Sequence, residues 1–262
     1  MIDTVLDARS VAPEYFTGSE GRIGAATLQP MSTLILLPGL ACDAALWRHQ
    51  LPALAAGGRA VKVSDVHQRA DSLAEMAALL LAEQAGDLLL AGCSMGGMLA
   101  LEAARQAPRR VRGLALLGST ARPDTPELMR MRNQAIGEFE QGRLEPLLRA
   151  NALFAFHPAH QDRLLEDYIA MLLRTGVAGL IRQNRAVMAR ADLRPMLRGV
   201  ACPTLVVGGL DDLLTPPDCA RELAEGIPGA QLQLLPDCGH MLSWEQPQRV
   251  GDLLQAWLGG LD

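Results

Sequence analysis

Residues 92–96 read Gly-Cys-Ser-Met-Gly, which places a serine in a G-x-S-x-G pattern. The pattern follows the apolar run Leu88–Ala91 and precedes an alanine-rich stretch, which indicates a sharp strand-to-helix turn. Such a turn pushes the serine hydroxyl out at the carboxyl end of a sheet. Glycines are needed on both sides because side chains there would collide with the neighbouring strand and helix. The helix N-terminus adds unpaired N–H groups and a positive dipole, so the pattern predicts that Ser94 is a nucleophile.

A serine hydroxyl becomes nucleophilic when a base removes its proton, so a histidine and an acid are expected near Ser94. His240 lies in the loop between the last predicted strand and the last predicted helix. The acid that orients the imidazole is expected just after the strand Thr204–Gly208, where Asp211 and Asp212 are adjacent. The chain order Ser, Asp, His differs from the orders found in chymotrypsin and subtilisin. These residues predict nucleophilic acyl transfer, with either aspartate as the acid.

Short apolar runs bounded by turn residues predict the strands that carry these loops. Most of the runs are continuous rather than alternating, as expected for parallel strands that are covered on both faces. The predicted strands are Thr33–Leu37, Ala60–Val66, Asp87–Ala91, Val111–Leu117, Thr204–Gly208 and Gln231–Leu235. The predicted helices between them are Ala45–Ala55, Ser72–Ala85, Met95–Ala107, Asp218–Ala224 and Gln246–Leu258. This alternation predicts an α/β fold, with a mostly parallel sheet flanked by helices.

One long stretch interrupts this alternation of strands and helices. From about Thr125 to Leu197 the apolar residues follow a helical period and no strand is predicted, which indicates an inserted helical cap. The predicted organisation is an α/β core over residues 31–124 and 198–262, with the cap over 125–197. Residues 1–30 carry no clear period and are predicted to be an N-terminal extension of uncertain structure.

Four landmarks occur in order along the chain and together resemble the α/β-hydrolase fold family. They are Leu-Pro-Gly-Leu at residues 37–40, the serine turn at 92–97, the acidic loop at 209–217, and Gly-His followed by Glu-Gln-Pro within 239–247. The resemblance extends from about Thr33 to Leu258, which is nearly the whole chain after the first thirty residues. It implies an α/β-hydrolase fold and a hydrolytic reaction that uses neither a metal nor a cofactor.

The resemblance also implies roles for particular residues. In this family two backbone N–H groups hold the oxyanion, and they correspond here to those of Leu40 and Met95. The family's acid commonly lies three residues after a glycine and four residues before a proline. Asp212 satisfies both spacings, whereas Asp211 satisfies only the first. The resemblance therefore favours Asp212 as the partner of His240.

The residues at these landmarks narrow the activities that the fold supports. Haloalkane dehalogenases and epoxide hydrolases that resemble it use aspartate as the nucleophile, which Ser94 argues against. Hydroxynitrile lyases use a lysine near the histidine, whereas Lys62, the only lysine, is far from His240 in the sequence. Haloperoxidase-like members commonly have an aromatic residue in place of Leu40. The prediction is a carboxylesterase-type hydrolase, and the alternatives are a thioesterase, a lactonase, a C–C bond hydrolase or a non-catalytic small-molecule-binding protein.

The predicted cap contains apolar side chains that suit an acyl pocket. Phe154 and Phe156 are the predicted substrate-binding residues, although cap residues of this kind also pack helices together. Residues 122–198 contain 12 arginines against nine acidic residues, whereas the rest of the chain is net acidic. This positive balance fits an anionic substrate, an acyl-carrier partner or simply a solvated helical surface.

Composition argues against several classes of function. The net charge is −5 with a pI near 5.6 and no basic run, so no nucleic-acid partner is expected. The five cysteines occur singly and the five histidines lack metal-ligand spacing, so neither a disulfide framework nor a metal site is predicted. No apolar run is long enough to span a membrane and no signal pattern is visible, which predicts a cytoplasmic protein without a membrane partner. The expected partner is a small ester, and the oligomeric state is not predicted.

Overall fold

Within residues 32–56 and 58–261, which the computed structural model describes, six parallel strands form a sheet in the order β2-β1-β3-β4-β5-β6. The strands are β1 (Thr33–Leu37), β2 (Val61–Val63), β3 (Leu88–Cys93), β4 (Val111–Leu117), β5 (Thr204–Gly209) and β6 (Gln231–Leu235). Every pairing between neighbours is parallel, so the predicted α/β fold with a parallel sheet is confirmed. The extension predicted at residues 1–30 lies outside the described residues.

Nine α-helices are present in the described residues. They are α1 (Leu51–Ala56), α2 (Leu73–Glu83), α3 (Met95–Gln106), α4 (Pro126–Glu140), α5 (Leu144–Ala152), α6 (Pro158–Met188), α7 (Pro217–Gly226), α8 (Leu242–Glu245) and α9 (Pro247–Gly259). The helix predicted at Ala45–Ala55 is in fact a 3₁₀ turn at Ala44–Trp47 followed by α1. The turn begins where the Asp43 carboxylate accepts a hydrogen bond from the Ala45 N–H, as a residue that caps a helix does.

The predicted and observed strands differ most at the edge of the sheet. β2 has three residues instead of the seven predicted for Ala60–Val66, because the chain leaves the sheet after Val63 and forms a 3₁₀ turn at Val66–Gln68. In the centre, all six residues of β3 are buried. Successive side chains along a strand enter apolar layers on opposite faces of the sheet, with Leu34 in one layer and Ile35 in the other. Burial on both faces explains why the strands appear as continuous apolar runs.

The three helices α4, α5 and α6 form an insertion between β4 and β5, where the sequence predicts helices and no strand. Thr125 caps α4 by accepting a hydrogen bond from the Leu128 N–H, and a proline in the first turn starts both α4 and α6. The long helix α6 is bent at Gly176, whose φ of 67° is non-helical. A glycine accepts this conformation without the steric cost of a Cβ.

The strand order reverses at the boundary between β1 and β3. The chain passes from β1 to β2 on one side, and then returns to place β3 on the other side of β1. The loops after β1 and β3 therefore diverge, which leaves a crevice of the kind where open α/β sheets bind ligands. Leu40 lies in the first of these loops and Ser94 in the second.

Candidate active site

Ser94 occupies the turn between β3 and α3 in a conformation that few residues other than glycine adopt. Its φ is 51° and its ψ is −116°. Two hydrogen bonds hold this backbone in place: the Ser94 N–H donates to the Leu117 carbonyl (2.8 Å), and the Ser119 hydroxyl donates to the Ser94 carbonyl (2.8 Å). A strained backbone of this kind costs about 1–3 kcal/mol and is common at functional sites.

The glycines around Ser94 are required by close contacts between backbone segments. A Cβ on Gly92 would lie 2.2 Å from the Gly96 carbonyl oxygen, and a Cβ on Gly96 would lie 2.1 Å from the Leu37 carbonyl oxygen. At Gly97 a Cβ would be 2.5 Å from the Ser119 hydroxyl oxygen. These distances are too short for any side chain. The structure thus shows the close approach of backbone segments that leaves no room for a side chain beside Ser94, as the sequence predicts.

His240 and Asp212 form a buried hydrogen-bonded pair. The Nδ1 atom of His240 lies 2.8 Å from Oδ2 of Asp212, and the Asp212 side chain has no solvent exposure. Asp212 also accepts hydrogen bonds from the Leu214 N–H, the Thr215 N–H and the Thr215 hydroxyl at 2.8–2.9 Å. Asp211 is exposed, and its N–H donates to a backbone carbonyl. Of the two adjacent aspartates, the structure brings Asp212 to His240.

The charges of this pair shift both pKa values. Burial raises the pKa of Asp212, but the charge of His240 and the hydrogen bonds from His240 and Thr215 outweigh burial and lower it below the usual value. Burial lowers the pKa of His240, but the charge and hydrogen bond of Asp212 and the charge of Glu245 together raise it. An ionised Asp212 accepts from a protonated Nδ1, which leaves Nε2 of neutral His240 free to accept a proton.

Glu245 organises the loop that carries His240, a role that the sequence analysis did not assign. Its buried carboxylate accepts hydrogen bonds from the Gly239 N–H (3.0 Å) and the Met241 N–H (3.1 Å), on either side of His240. It also accepts from the His157 N–H (2.8 Å), which lies at the start of α6. A buried carboxylate requires such partners. The glutamate five residues after His240 was visible in the sequence as a landmark, but its contacts were not.

The helix α6 supports the loop after β1 through Gln183. The fully buried Gln183 side chain accepts a hydrogen bond from the Ala41 N–H at 2.7 Å, and the Thr175 hydroxyl donates to the Ala41 carbonyl at 3.0 Å. Ala41 has a φ of 61°, which is uncommon for a residue with a Cβ. Gln183 therefore fixes the loop at the residue next to Leu40. This contact joins residues 142 positions apart, so no local pattern could predict it.

A cavity of about 620 Å³ lies between the insertion and the carboxyl end of the sheet. Ser94, His240, Leu40 and Met95 all line it. Most of the other walls are apolar, and they include Met98, Met131, Phe139, Leu148, Leu180 and Val187. The volume is within the range of small-molecule sites. The structure thus places a serine, a histidine and the two residues predicted to supply N–H donors around one cavity.

The two predicted pocket residues of the insertion have different positions. Phe154 lines the cavity and its side chain is half exposed. Phe156 is buried, and its ring packs edge-on against Tyr168 with 5.1 Å between ring centroids. The sequence prediction for Phe156 therefore needs correction: its ring is buried in the apolar core and is not among the residues that line the cavity.

Comparison with known proteins decides the family. The family model of the α/β hydrolase fold matches residues 32–247, which covers most of the chain. This chain belongs to the α/β hydrolase family. The predicted resemblance is confirmed, and the Ser94 turn, the Asp212 loop and the His240 loop all fall within the matched residues.

Relatives of this α/β hydrolase carry several different activity names. RutD of Serratia proteamaculans, provisionally named a carbamate hydrolase, is 29% identical over 86% of this chain and 90% of its own. BpoC of Mycobacterium tuberculosis, provisionally named a non-heme bromoperoxidase, is 29% identical over 77% of this chain and 84% of its own. The solved structure of a thermophilic esterase from Thermogutta terrifontis is 25% identical, covers 88% of this chain and 92% of its own, and has a TM-score of 0.76.

Other reactive groups in this α/β hydrolase are buried or dispersed. Burial raises the pKa of Cys93, the neighbour of Ser94, far above its usual value. Within residues 32–56 and 58–261, no three His, Cys, Asp or Glu side chains are grouped so that they could hold a metal ion. The helices in the same part of the chain include none that is long and apolar enough to cross a membrane.

Proposed function

We propose that this α/β hydrolase cleaves a small to medium, mainly apolar carboxylic ester through a Ser94-His240-Asp212 triad. The observation that carries the proposal is the buried hydrogen bond between His240 and Asp212, next to a cavity that His240 shares with the strained Ser94. The family and the esterase structure with similar overall geometry support it.

The proposed reaction proceeds through an acyl-enzyme. Ser94 Oγ attacks the ester carbonyl carbon while His240 Nε2 accepts the hydroxyl proton, and Asp212 stabilises the resulting imidazolium. The N–H groups of Leu40 and Met95 hold the oxyanion; one such donor is worth roughly 10²–10³ in rate. His240 then protonates the leaving alcohol. In the second half, His240 takes a proton from water while the water oxygen attacks the acyl carbon. The bond from that carbon to Ser94 Oγ then breaks, the acid is released, and His240 returns the proton to Ser94 Oγ.

The insertion is proposed to act as a cap that selects the substrate. Its residues form much of the cavity wall, including Met131, Leu148 and Phe154. An apolar wall favours an apolar chain, because burial contributes roughly 25 cal/mol for each Å² removed from water.

Replacement of the nucleophile tests the proposed function. Ser94→Ala is expected to abolish hydrolysis of p-nitrophenyl esters, because it removes the hydroxyl that the proposed mechanism acylates. A fluorophosphonate probe should label the wild-type protein at Ser94 and leave the variant unlabelled. Circular dichroism should show that the variant is folded. Wild-type turnover by folded Ser94→Ala would reject the mechanism, and a failure to label the wild type would favour a binding protein.

A carbamate is the second candidate substrate, because RutD is provisionally named a carbamate hydrolase and is similar along most of its length. A carbamate carbonyl accepts the same serine attack and the same oxyanion donors. Matched p-nitrophenyl acetate and p-nitrophenyl N-methylcarbamate separate the two candidates. A higher kcat/KM for the carbamate would make it the proposed substrate in place of the ester.

A further inference from the structure

Two arginines of the insertion share one buried carboxylate at the wall of the cavity. Arg132 Nε lies 2.7 Å from one oxygen of Asp124, and Arg190 Nη1 lies 2.7 Å from the other. The Asp124 side chain is 1% exposed, and that of Arg190 is 6% exposed. All three residues line the same cavity as Ser94. This group is not part of the proposed reaction.

The charges around this group are unevenly distributed. A third arginine of the cavity wall, Arg122, pairs with two carboxylates that do not line the cavity, Asp218 and Glu222, at 2.7 and 2.8 Å. With these two included, three arginines face three carboxylates. Asp124 is the only carboxylate among the described residues of the cavity wall, so on the cavity side Arg132 and Arg190 share one carboxylate between them.

Both guanidinium groups also keep hydrogen-bond donors without a protein acceptor. Arg132 donates through Nε to Asp124 and through Nη1 to the Asn184 side chain at 3.0 Å. Arg190 donates through Nε to the Arg122 carbonyl, and through Nη1 to Asp124 and the Val187 carbonyl. In neither residue does Nη2 donate to any of the described residues, although each Nη2 carries two N–H groups.

Burial of a charged group with unused donors is costly, and burial lowers the pKa of Arg190 even though Asp124 opposes the shift. An anionic group in the cavity would give the two guanidinium groups a second carboxylate and would satisfy the remaining donors. A carboxylate suits planar guanidinium groups because its two oxygens can accept two parallel N–H bonds.

We propose that the substrate of this hydrolase is a monoanionic ester, whose carboxylate binds to Arg132 and Arg190 while its ester group lies at Ser94. The proposal rests on the proposed function, since it names the class of ester that the same site takes. This substrate differs from a purely apolar ester only in its terminal carboxylate, because the chain between the ester and the carboxylate remains apolar.

Paired substrates of equal shape test this proposal. On the acyl side, p-nitrophenyl hydrogen glutarate is compared with p-nitrophenyl 5-methylhexanoate, in which an isopropyl group replaces the carboxylate. On the alcohol side, the acetyl ester of 4-hydroxybutanoate is compared with 4-methylpentyl acetate. In the pair that fits the site, kcat/KM for the acid is expected to exceed that for the neutral ester by about tenfold. This ratio corresponds to the free energy of one charge-assisted hydrogen bond.

The preference should depend on Arg132 and not on surface charge. In Arg132→Gln the ratio of kcat/KM between acid and neutral ester is expected to fall about tenfold, and Arg132→Lys should retain part of it. Arg130→Gln is the matched control, because Arg130 is exposed on the same helix α4 and does not line the cavity. It should keep the wild-type ratio.

The outcomes separate this proposal from the proposed function. Hydrolysis that depends on Ser94 but shows no preference for the acid in either pair overturns the carboxylate site and leaves the serine mechanism standing. An unchanged ratio in folded Arg132→Gln would also overturn it and would make the arginine pair purely structural. Binding of glutarate to Ser94→Ala, measured by calorimetry, should weaken about tenfold when Arg132→Gln is added. This readout does not require turnover.

Discussion

The pKa of His240 depends on a balance between burial and nearby negative charge. Burial alone would favour the neutral imidazole, but Asp212 and Glu245 raise its pKa above the usual value of 6.5. A protonated His240 cannot accept the Ser94 proton, so kcat/KM should fall as the pH falls through this raised pKa. As the pH is lowered, the midpoint of this loss of kcat/KM should therefore lie above pH 6.5.

Asp212→Asn tests this balance directly. The variant removes the main charge that opposes burial, so the acidic limb of the kcat/KM profile should move to lower pH. Its kcat should fall on the order of 10⁴, because the neutral amide neither fixes the tautomer nor stabilises the imidazolium. Asp211→Asn is the matched control and should keep both the limb and the rate, since Asp211 is exposed. The reverse ranking of the two variants in kcat would transfer the role to Asp211.

At the scale of elements, the helix α6 is coupled to the loop after β1. Gln183→Ala would leave the buried Ala41 N–H without an acceptor, which costs about 1–3 kcal/mol. Because Leu40 precedes Ala41, we expect kcat to fall more than KM rises. Arg185→Ala, at an exposed position of the same helix, should change neither parameter. Thermal unfolding and steady-state kinetics measure both effects, and equal kcat in the two variants would contradict the coupling.

The sequence predicted those elements whose signals are local. The Ser94 turn could be placed because glycine spacing, strand and helix all occur within about a dozen residues. Asp212 was favoured over Asp211 only through the family resemblance, whose acid-loop spacing it matches. Gln183 and Glu245 could not be assigned, because their roles consist of contacts with segments distant in the chain. The predicted helix at Ala45–Ala55 is split for a local reason that the periodicity does not register: Pro52 has no N–H for a helical hydrogen bond, and it lies in the first turn of α1 instead of the interior of one longer helix.

At the scale of the whole molecule, the insertion and the sheet contribute jointly to the cavity. The start of α6 binds the His240 loop through Glu245, and its second half binds the loop at Ala41 through Gln183. One element thus touches two of the loops that the proposed mechanism uses. Removal of the insertion should disturb the catalytic loops themselves as well as the pocket.

Phe154 and Phe156 offer a test of the pocket at this scale. Phe154→Ala enlarges the cavity and should shift the preference of p-nitrophenyl esters toward longer acyl chains, with little change in unfolding temperature. Phe156→Ala removes a buried ring that packs on Tyr168 and should cost about 3–5 kcal/mol of stability with a smaller shift in preference. An unchanged chain-length profile in Phe154→Ala would remove that residue from the substrate site.

The short edge strand β2 carries the only lysine of the sequence, and this has a practical use. Lys62 is exposed and lies in β2, which β1 separates from β3 and the Ser94 turn. Strand spacing puts it roughly 10 Å across the sheet from β3. Reductive alkylation by an aldehyde and a mild reductant has one side-chain target in this sequence besides the α-amino group. Coupling to a resin or a dye through Lys62 would therefore attach the protein at the edge of the sheet and leave Ser94 and the walls of the cavity unmodified.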